Sequence, residues 1–170
     1  EIGEEELLVK VISNSVCLST YKAAIRGEEH KRVPEDISEH PVITGHEFCG
    51  IIEKVGSRLK ERFKEGEKFV LQPAMGLESG YSAGYSYEYF GGNATYCIIP
   101  KVAIDLGCVL PYKGNYFANA SLAEPMSCII CVSSISVVIP LYYTCPREKC
   151  KLSFRDKTWY TGENSERSAA

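Results

Sequence analysis

The stretch VITGHEFCGIIEKVG, residues 42–56, decides the fold. Its second half, FCGIIEKV, is rich in β-branched and aromatic residues and is bounded by glycine, which predicts a strand. At the head of that strand His46 and Glu47 stand side by side, just after Gly45. Such a pair has two readings. Either His46 is a hydrogen-bonded core histidine with an accidental neighbour, or the pair belongs to a metal site whose other ligands lie elsewhere in the chain.

Working outward, ELLVKVIS (6–13) puts Val9 and Val11 on one side and Lys10 and Ile12 on the other, as in a strand covered on at least one face. EKFVLQP (67–73) and ATYCIIP (94–100) predict two more strands, each short and closed by proline. STYKAAIRG (19–27) predicts a short helix with Ser19 as N-cap and Gly27 as its stop. Cys17 then sits just before a helix N-terminus, where the dipole favours a thiolate. HKRVPEDISEHP (30–41) is a polar loop. GLESGYSAGYSYEYFGG (76–92) has no apolar periodicity and predicts a long surface lobe rather than a strand pair. NYFANASLAEPMSC (115–128) is helical in pattern, and CVSSISVVIPLYY (131–143) reads as one buried strand. The remainder is polar and aperiodic, with a Ser-rich end of the kind found in disordered segments.

The 170 residues are 45% apolar and 24% charged, enough for one sizeable core. A net charge of −3 gives no electrostatic case for binding nucleic acid or an anionic membrane. No apolar run reaches the ~20 residues of a membrane span. The opening EIGEEELLVK is acidic where a signal peptide would be basic, so a cytoplasmic chain is expected. Eight cysteines scattered through a chain of this length fit buried thiols and one or two metal ligands better than a disulfide framework.

A catalytic zinc takes three protein ligands from Cys, His and carboxylates and keeps one position open. Cys17, His46, Glu47 and Glu124 supply that chemistry, each at the end of an element, where a ligand is both rigid and accessible. Cys128, Cys131, Cys145 and Cys150 form a rival set, C-x2-C-x13-C-x4-C, with reduced thiols holding no metal as the alternative. After Gly114 the chain holds a single further glycine, Gly162, so the glycine-rich turn of a dinucleotide-binding domain is not expected in it.

CLSTYKAAIRG (17–27), PVITGHEFCGIIEKVG (41–56), FKEGEKFVLQP (63–73), GGNATYCIIP (91–100) and SLAEPMSC (121–128) follow one another in the order and at the spacing of one known domain. Roughly residues 5 to 130 resemble the catalytic domain of zinc-containing medium-chain dehydrogenases. HKRVP, HPVITGHEFCG and GYSYEYFGGNATY look most like the L-sorbose 1-phosphate reductase branch, relatives of sorbitol dehydrogenase.

The resemblance implies a mainly β fold, a GroES-like antiparallel β-barrel with short helices, over residues 1–130 with its first strand missing. Residues 131–170 would be a divergent tail, disordered or frame-shifted, and the Rossmann cofactor domain would be absent from this chain. Cys17, His46 and Glu124 would be zinc ligands, and Glu47 either a ligand that exchanges with substrate or a carboxylate behind the ligands. Ser19 would pass a proton between the substrate oxygen and solvent. The cofactors implied are zinc and, in full-length relatives, NAD(P). The substrate implied is a polyol, ketose or sugar phosphate.

Lys22, His30, Lys31 and Arg32 could grip a phosphate or could simply be solvated. Tyr85, Tyr87 and Tyr89 could wall a sugar site or pack the lobe. Lys22 stands where some relatives continue the proton relay with a histidine. With no cysteine between Cys49 and Cys97, the second, structural zinc of many relatives is not expected. A homo-oligomer is compatible with the resemblance. The rival function is a non-catalytic zinc-binding module, or a truncated remnant without a cofactor site.

Overall fold

The computed structural model describes the backbone of residues 1–136, 151–152 and 159–160, and side chains through residue 130. Alternating apolar residues form β1 (Leu7–Asn14), which runs into helix α1 (Leu18–Arg26). The decisive stretch forms β2 (Phe48–Val55), and the two predicted strands after it are β3 (Lys68–Leu71) and β4 (Tyr96–Ile99). Helix α2 (Lys101–Asp105), strand β5 (Val109–Pro111) and helices α3 (Phe117–Ser121) and α4 (Ala123–Ser136) follow. The five strands make one sheet in the order β4-β1-β2-β3-β5, antiparallel at every junction. The chain divides into two compact units, Glu1–Ile129 and Ile130–Ala170. Within the second, β6 (Lys151–Leu152) pairs antiparallel with β7 (Trp159–Tyr160). No helix among the described residues is long and apolar enough to cross a membrane.

The core of the first unit lies on one face of the sheet. Leu7 and Val9 of β1, Phe48 and Ile52 of β2, Phe69 and Leu71 of β3 and Ile99 of β4 are all buried there, with Ala103 and Ile104 of α2. Phe48 meets Phe69 and Phe90 edge to face at 6.0 and 6.2 Å between ring centroids. Each such buried side chain contributes about 1.5–3 kcal/mol. Phe48 directly follows Glu47, so the core anchors the chain one residue away from the His-Glu pair.

The glycine-rich segment 76–92 contains no strand, as expected, but it is not a surface lobe. Ala83, Tyr85 and Phe90 are at most 1% exposed. The reason is backbone proximity. Ile43 donates its N–H to the Tyr87 carbonyl at 3.2 Å, and Gly92 and Asn93 donate theirs to the Gly45 and Thr44 carbonyls at 2.7 and 2.8 Å. Gly84 has φ +72°, and a Cβ there would lie 2.3 Å from the Gly45 oxygen. Gly45 has φ +90°, and its Cβ would lie 2.9 Å from the Asn93 nitrogen. A Cβ on Gly91 would likewise lie 2.2 Å from the Ile43 oxygen, so the chains cross at this distance only because glycines stand at the contact.

Two local expectations are corrected. The N-cap of α1 is Cys17, with extended backbone and no side-chain cap hydrogen bond, not Ser19, whose hydroxyl bonds elsewhere. Gly27 does stop the helix, at φ 53°. The strand expected from residue 131 is helix at its start, because α4 continues through Ser136; a continuous apolar run does not distinguish a strand from a buried helix by periodicity. The rest of that run, the Ser-rich end, and Cys145 and Cys150 of the tail set lie outside the described residues.

Gly84→Ala is expected to destabilise the fold by more than about 2 kcal/mol, since it adds steric overlap to an unfavourable φ. Gly66→Ala, at φ +86° with nothing within 4 Å of its Cβ, should cost only about 1 kcal/mol. Urea denaturation of the two variants checks the difference; equal losses would refute the crossing as the cause.

Candidate metal centre

β1 and β2 end at the same place, and the site is built at that shared end. Their ladder carries a bulge between Val11 and Ser13, after which Ser13 opposes Cys49 and Asn14 opposes Phe48. One step further Ser15 donates its N–H to the Glu47 carbonyl at 3.0 Å. Cys17 then turns into α1, while across from it the chain enters β2 through His46 and Glu47. One ligand atom from each of Cys17, His46 and Glu47 falls within 4.8 Å of the others. His46 and Glu47 are 6% and 5% exposed, and Cys17 is half-buried.

The donor set fits a zinc ion. With bonds of about 2.0–2.3 Å, tetrahedral geometry puts ligand atoms roughly 3.3–3.8 Å apart. His46 Nε2 and Glu47 Oε1 are already 3.7 Å apart. The other ring nitrogen, Nδ1, is 3.2 Å from Thr20 Oγ1, one turn into α1, which orients the imidazole and leaves Nε2 for the cluster. Burial pushes the His46 imidazole below its ordinary value of 6.5, the Glu47 charge opposing and Arg32 adding to the fall. A neutral imidazole is the form that binds metal.

Around the three lie hydroxyls and one aromatic. Ser19 Oγ is 2.9 Å from Cys17 Sγ and accepts a hydrogen bond from the Tyr85 hydroxyl at 2.9 Å. The Tyr85 ring lies against His46, centroids 4.9 Å apart, and is stacked with His30 at 5.7 Å. Burial raises the Tyr85 phenol above its ordinary value, so it stays a donor, with the Ser19 bond opposing. The Arg32 guanidinium lies over the same ring, 5.1 Å from its centroid. The Glu47 carboxylate accepts from the Ser15 hydroxyl.

Glu124, at the start of α4, stands outside the close trio but faces it. Burial raises its carboxyl above the ordinary carboxylate value; the Cys128 thiol, donating at 3.4 Å, opposes this, and the neighbouring Glu47 adds to it. Cys17, His46 and Glu47 are therefore brought together, with Glu124 adjoining through Glu47. Of the basic residues, Arg32 and His30 reach Tyr85, while Lys22 and Lys31 are exposed. Tyr89 is exposed and Tyr87 packs against Phe90. Burial pushes the thiols of Cys49 and Cys97 up to about 11 and about 12, which suits apolar packing rather than reactivity. Sequence reasoning missed Ser15 and Thr20. Thr20 had a signal, its place three residues after Cys17 on one helix face; Ser15 had none until the bulge set the register.

Residues 3–112 match the alcohol dehydrogenase GroES-like domain. Among curated proteins the chain is similar to the mannitol-1-phosphate 5-dehydrogenase of Aliivibrio fischeri, 75% identical over 76% of this chain and 30% of that protein. It is also similar to the L-sorbose 1-phosphate reductase of Klebsiella pneumoniae, 39% identical over 75% of this chain and 31% of that one. The chain thus spans about a third of the length of these relatives. In fold it resembles the crystal structure of 2R,3R-butanediol dehydrogenase from Bacillus subtilis, with a TM-score of 0.57 and 20% identity over 74% of this chain and 38% of that one. With its antiparallel sheet, short helices and family match together, the chain belongs to the GroES-like domain family of the alcohol dehydrogenases.

Proposed function

We propose that this chain is the zinc-holding catalytic portion of a cytoplasmic oxidoreductase that interconverts a polyol or sugar phosphate and its ketose with NAD(P). The observation that carries the proposal is the convergence of Cys17, His46 and Glu47, two of them buried, within 4.8 Å. Cys17, His46 and Glu47 would hold zinc, with Glu124 as the further carboxylate that yields to substrate, the reverse of the two glutamate roles that the resemblance implied, because Glu47 and not Glu124 lies in the close trio. Bound zinc supplies Lewis acidity toward a carbonyl or alcohol oxygen, and the nicotinamide supplies or accepts hydride. A cysteine ligand is kept reduced in the cytoplasm.

The chain's own groups handle the proton and the substrate. Because Tyr85 donates to Ser19, the single proton of the Ser19 hydroxyl points away from Tyr85, toward Cys17 or toward a substrate oxygen placed beside it. Ser19 is the proton carrier of this reading. Arg32 is the residue to grip the phosphate, since its guanidinium is held on the Tyr85 ring while that ring reaches both Ser19 and His46. Lys31 adds positive charge beside it, and Lys22 does so from α1. The substrate class follows the printed names of the two curated relatives, which are a sugar-alcohol phosphate dehydrogenase and a ketose phosphate reductase.

Elemental analysis of the purified chain should find about one zinc, and a Cys17→Ser, His46→Ala double variant should have lost it. A zinc-free wild type, or zinc retained in the double variant, would overturn the assignment. For the substrate, Arg32→Ala is expected to weaken binding of mannitol 1-phosphate roughly tenfold, the loss of one charged hydrogen bond, and to leave mannitol itself unaffected. Titrations followed by NMR would read both; an equal effect on the two ligands would remove Arg32 from the phosphate site.

A further inference from the structure

Ser15 offers no ligand, yet it touches Glu47 at both ends of that residue. Its backbone N–H closes the β1–β2 ladder on the Glu47 carbonyl at 3.0 Å, and its hydroxyl donates to Glu47 Oε2. The same hydroxyl is 3.3 Å from the carbonyl of Ser121. A serine has one proton to donate and here has two acceptors, of which the carboxylate is the stronger. With Oε2 taken by Ser15, the oxygen left facing the cluster is Oε1, 3.7 Å from His46 Nε2.

We infer that Ser15 is a positioning residue that makes Glu47 a one-oxygen donor, holding Oε2 aside so that Oε1 alone meets the cation. This rests on the zinc reading proposed above. A carboxylate with both oxygens unheld can grip a metal with either or both; tying one of them fixes the coordination number and leaves a position for substrate. The second acceptor adds a link. Ser121 ends α3, its hydroxyl accepts from Ser13 at 3.0 Å, and it lies three residues before Glu124. Turning the Ser15 hydroxyl to the Ser121 carbonyl frees Oε2, so one proton connects Glu47 to the segment that carries the other carboxylate.

The test uses the full chain in three forms, wild type, Ser15→Ala and Ser15→Thr. Zinc affinity is measured by competition with a chromophoric chelator, and coordination by the visible spectrum of the cobalt(II)-substituted protein. Ser15→Ala keeps the backbone hydrogen bond and removes only the hydroxyl. It should bind zinc about 10- to 100-fold more weakly, with a weaker cobalt band as the coordination number rises. Ser15→Thr should restore both. The same alanine change in a Glu47→Gln background should have little further effect, which separates action through Glu47 from a general loss of folding.

Unchanged affinity and spectrum in Ser15→Ala would overturn the inference and leave the zinc reading standing. An undiminished loss in the Glu47→Gln background would overturn it as well. Absence of bound zinc in the wild type would overturn both.

Discussion

The structure depends on two backbones passing at van der Waals contact. Where the loop ahead of β2 crosses the 76–92 segment, Gly84 faces the Gly45 carbonyl so closely that a methyl group would overlap it. Everything at the site is downstream of that crossing. It lets Ile43, Gly45 and Thr44 hydrogen-bond to the segment, which fixes the loop carrying His46 and Glu47. It also turns Tyr85 inward, onto His46 and Ser19. Glycine is favoured at these two positions for opposite reasons in energy terms: it gives up conformational entropy, and in exchange an irregular segment becomes a rigid wall of the centre.

The bulge in β1 is the second constraint. It shifts the pairing so that Ser15, and not a neighbour, stands beside Glu47, and it brings the two strand ends level with the first turn of α1. Three ligand types from two segments then meet, Cys17 at the head of α1 and His46 with Glu47 where the loop enters β2. Phe48 holds the other side in the core between Phe69 and Phe90, so the loop end cannot drift. Rigidity of this kind determines whether a ligand set binds metal or merely resembles one that does.

The sheet was legible in the sequence because its evidence is local. β2 runs over Phe48–Val55, the span its composition indicated, β3 and β4 fall inside their predicted stretches, and β1 runs one residue past its own, to Asn14. Cys17, His46 and Glu47 were legible as ligand types next to element ends. What was not legible depends on register or on long-range contact. Tyr85 looked like one of several lobe tyrosines because nothing in its neighbours says that Gly84 will pass against Gly45. Ser19 had the residue type and position of an N-cap, but a thiol and a phenol compete for its hydroxyl. The start of the 131–143 run was read as strand because apolar residues in succession suit a buried strand and a buried helix alike.

The electrostatics of the centre argue for a cation more strongly than the geometry alone. Glu47 is nearly fully buried, Glu124 faces it, and the Glu124 carboxyl is raised by burial first and by Glu47 in addition. Taking a carboxylate out of water costs several kcal/mol unless a partner of opposite charge is present. Arg32 is one such partner for the Glu124 carboxyl, though it disfavours a charge on the His46 imidazole, and it works at a distance, from over the Tyr85 ring. The chain offsets part of the cost with the Ser15 hydroxyl on Glu47 and the Cys128 thiol on Glu124. Both are neutral donors, which relieve a charge without cancelling it. A divalent ion between Cys17, His46 and Glu47 would cancel it, and would also convert the lowered basicity of His46 from a consequence of burial into an advantage, since the imidazole needs no deprotonation before it binds.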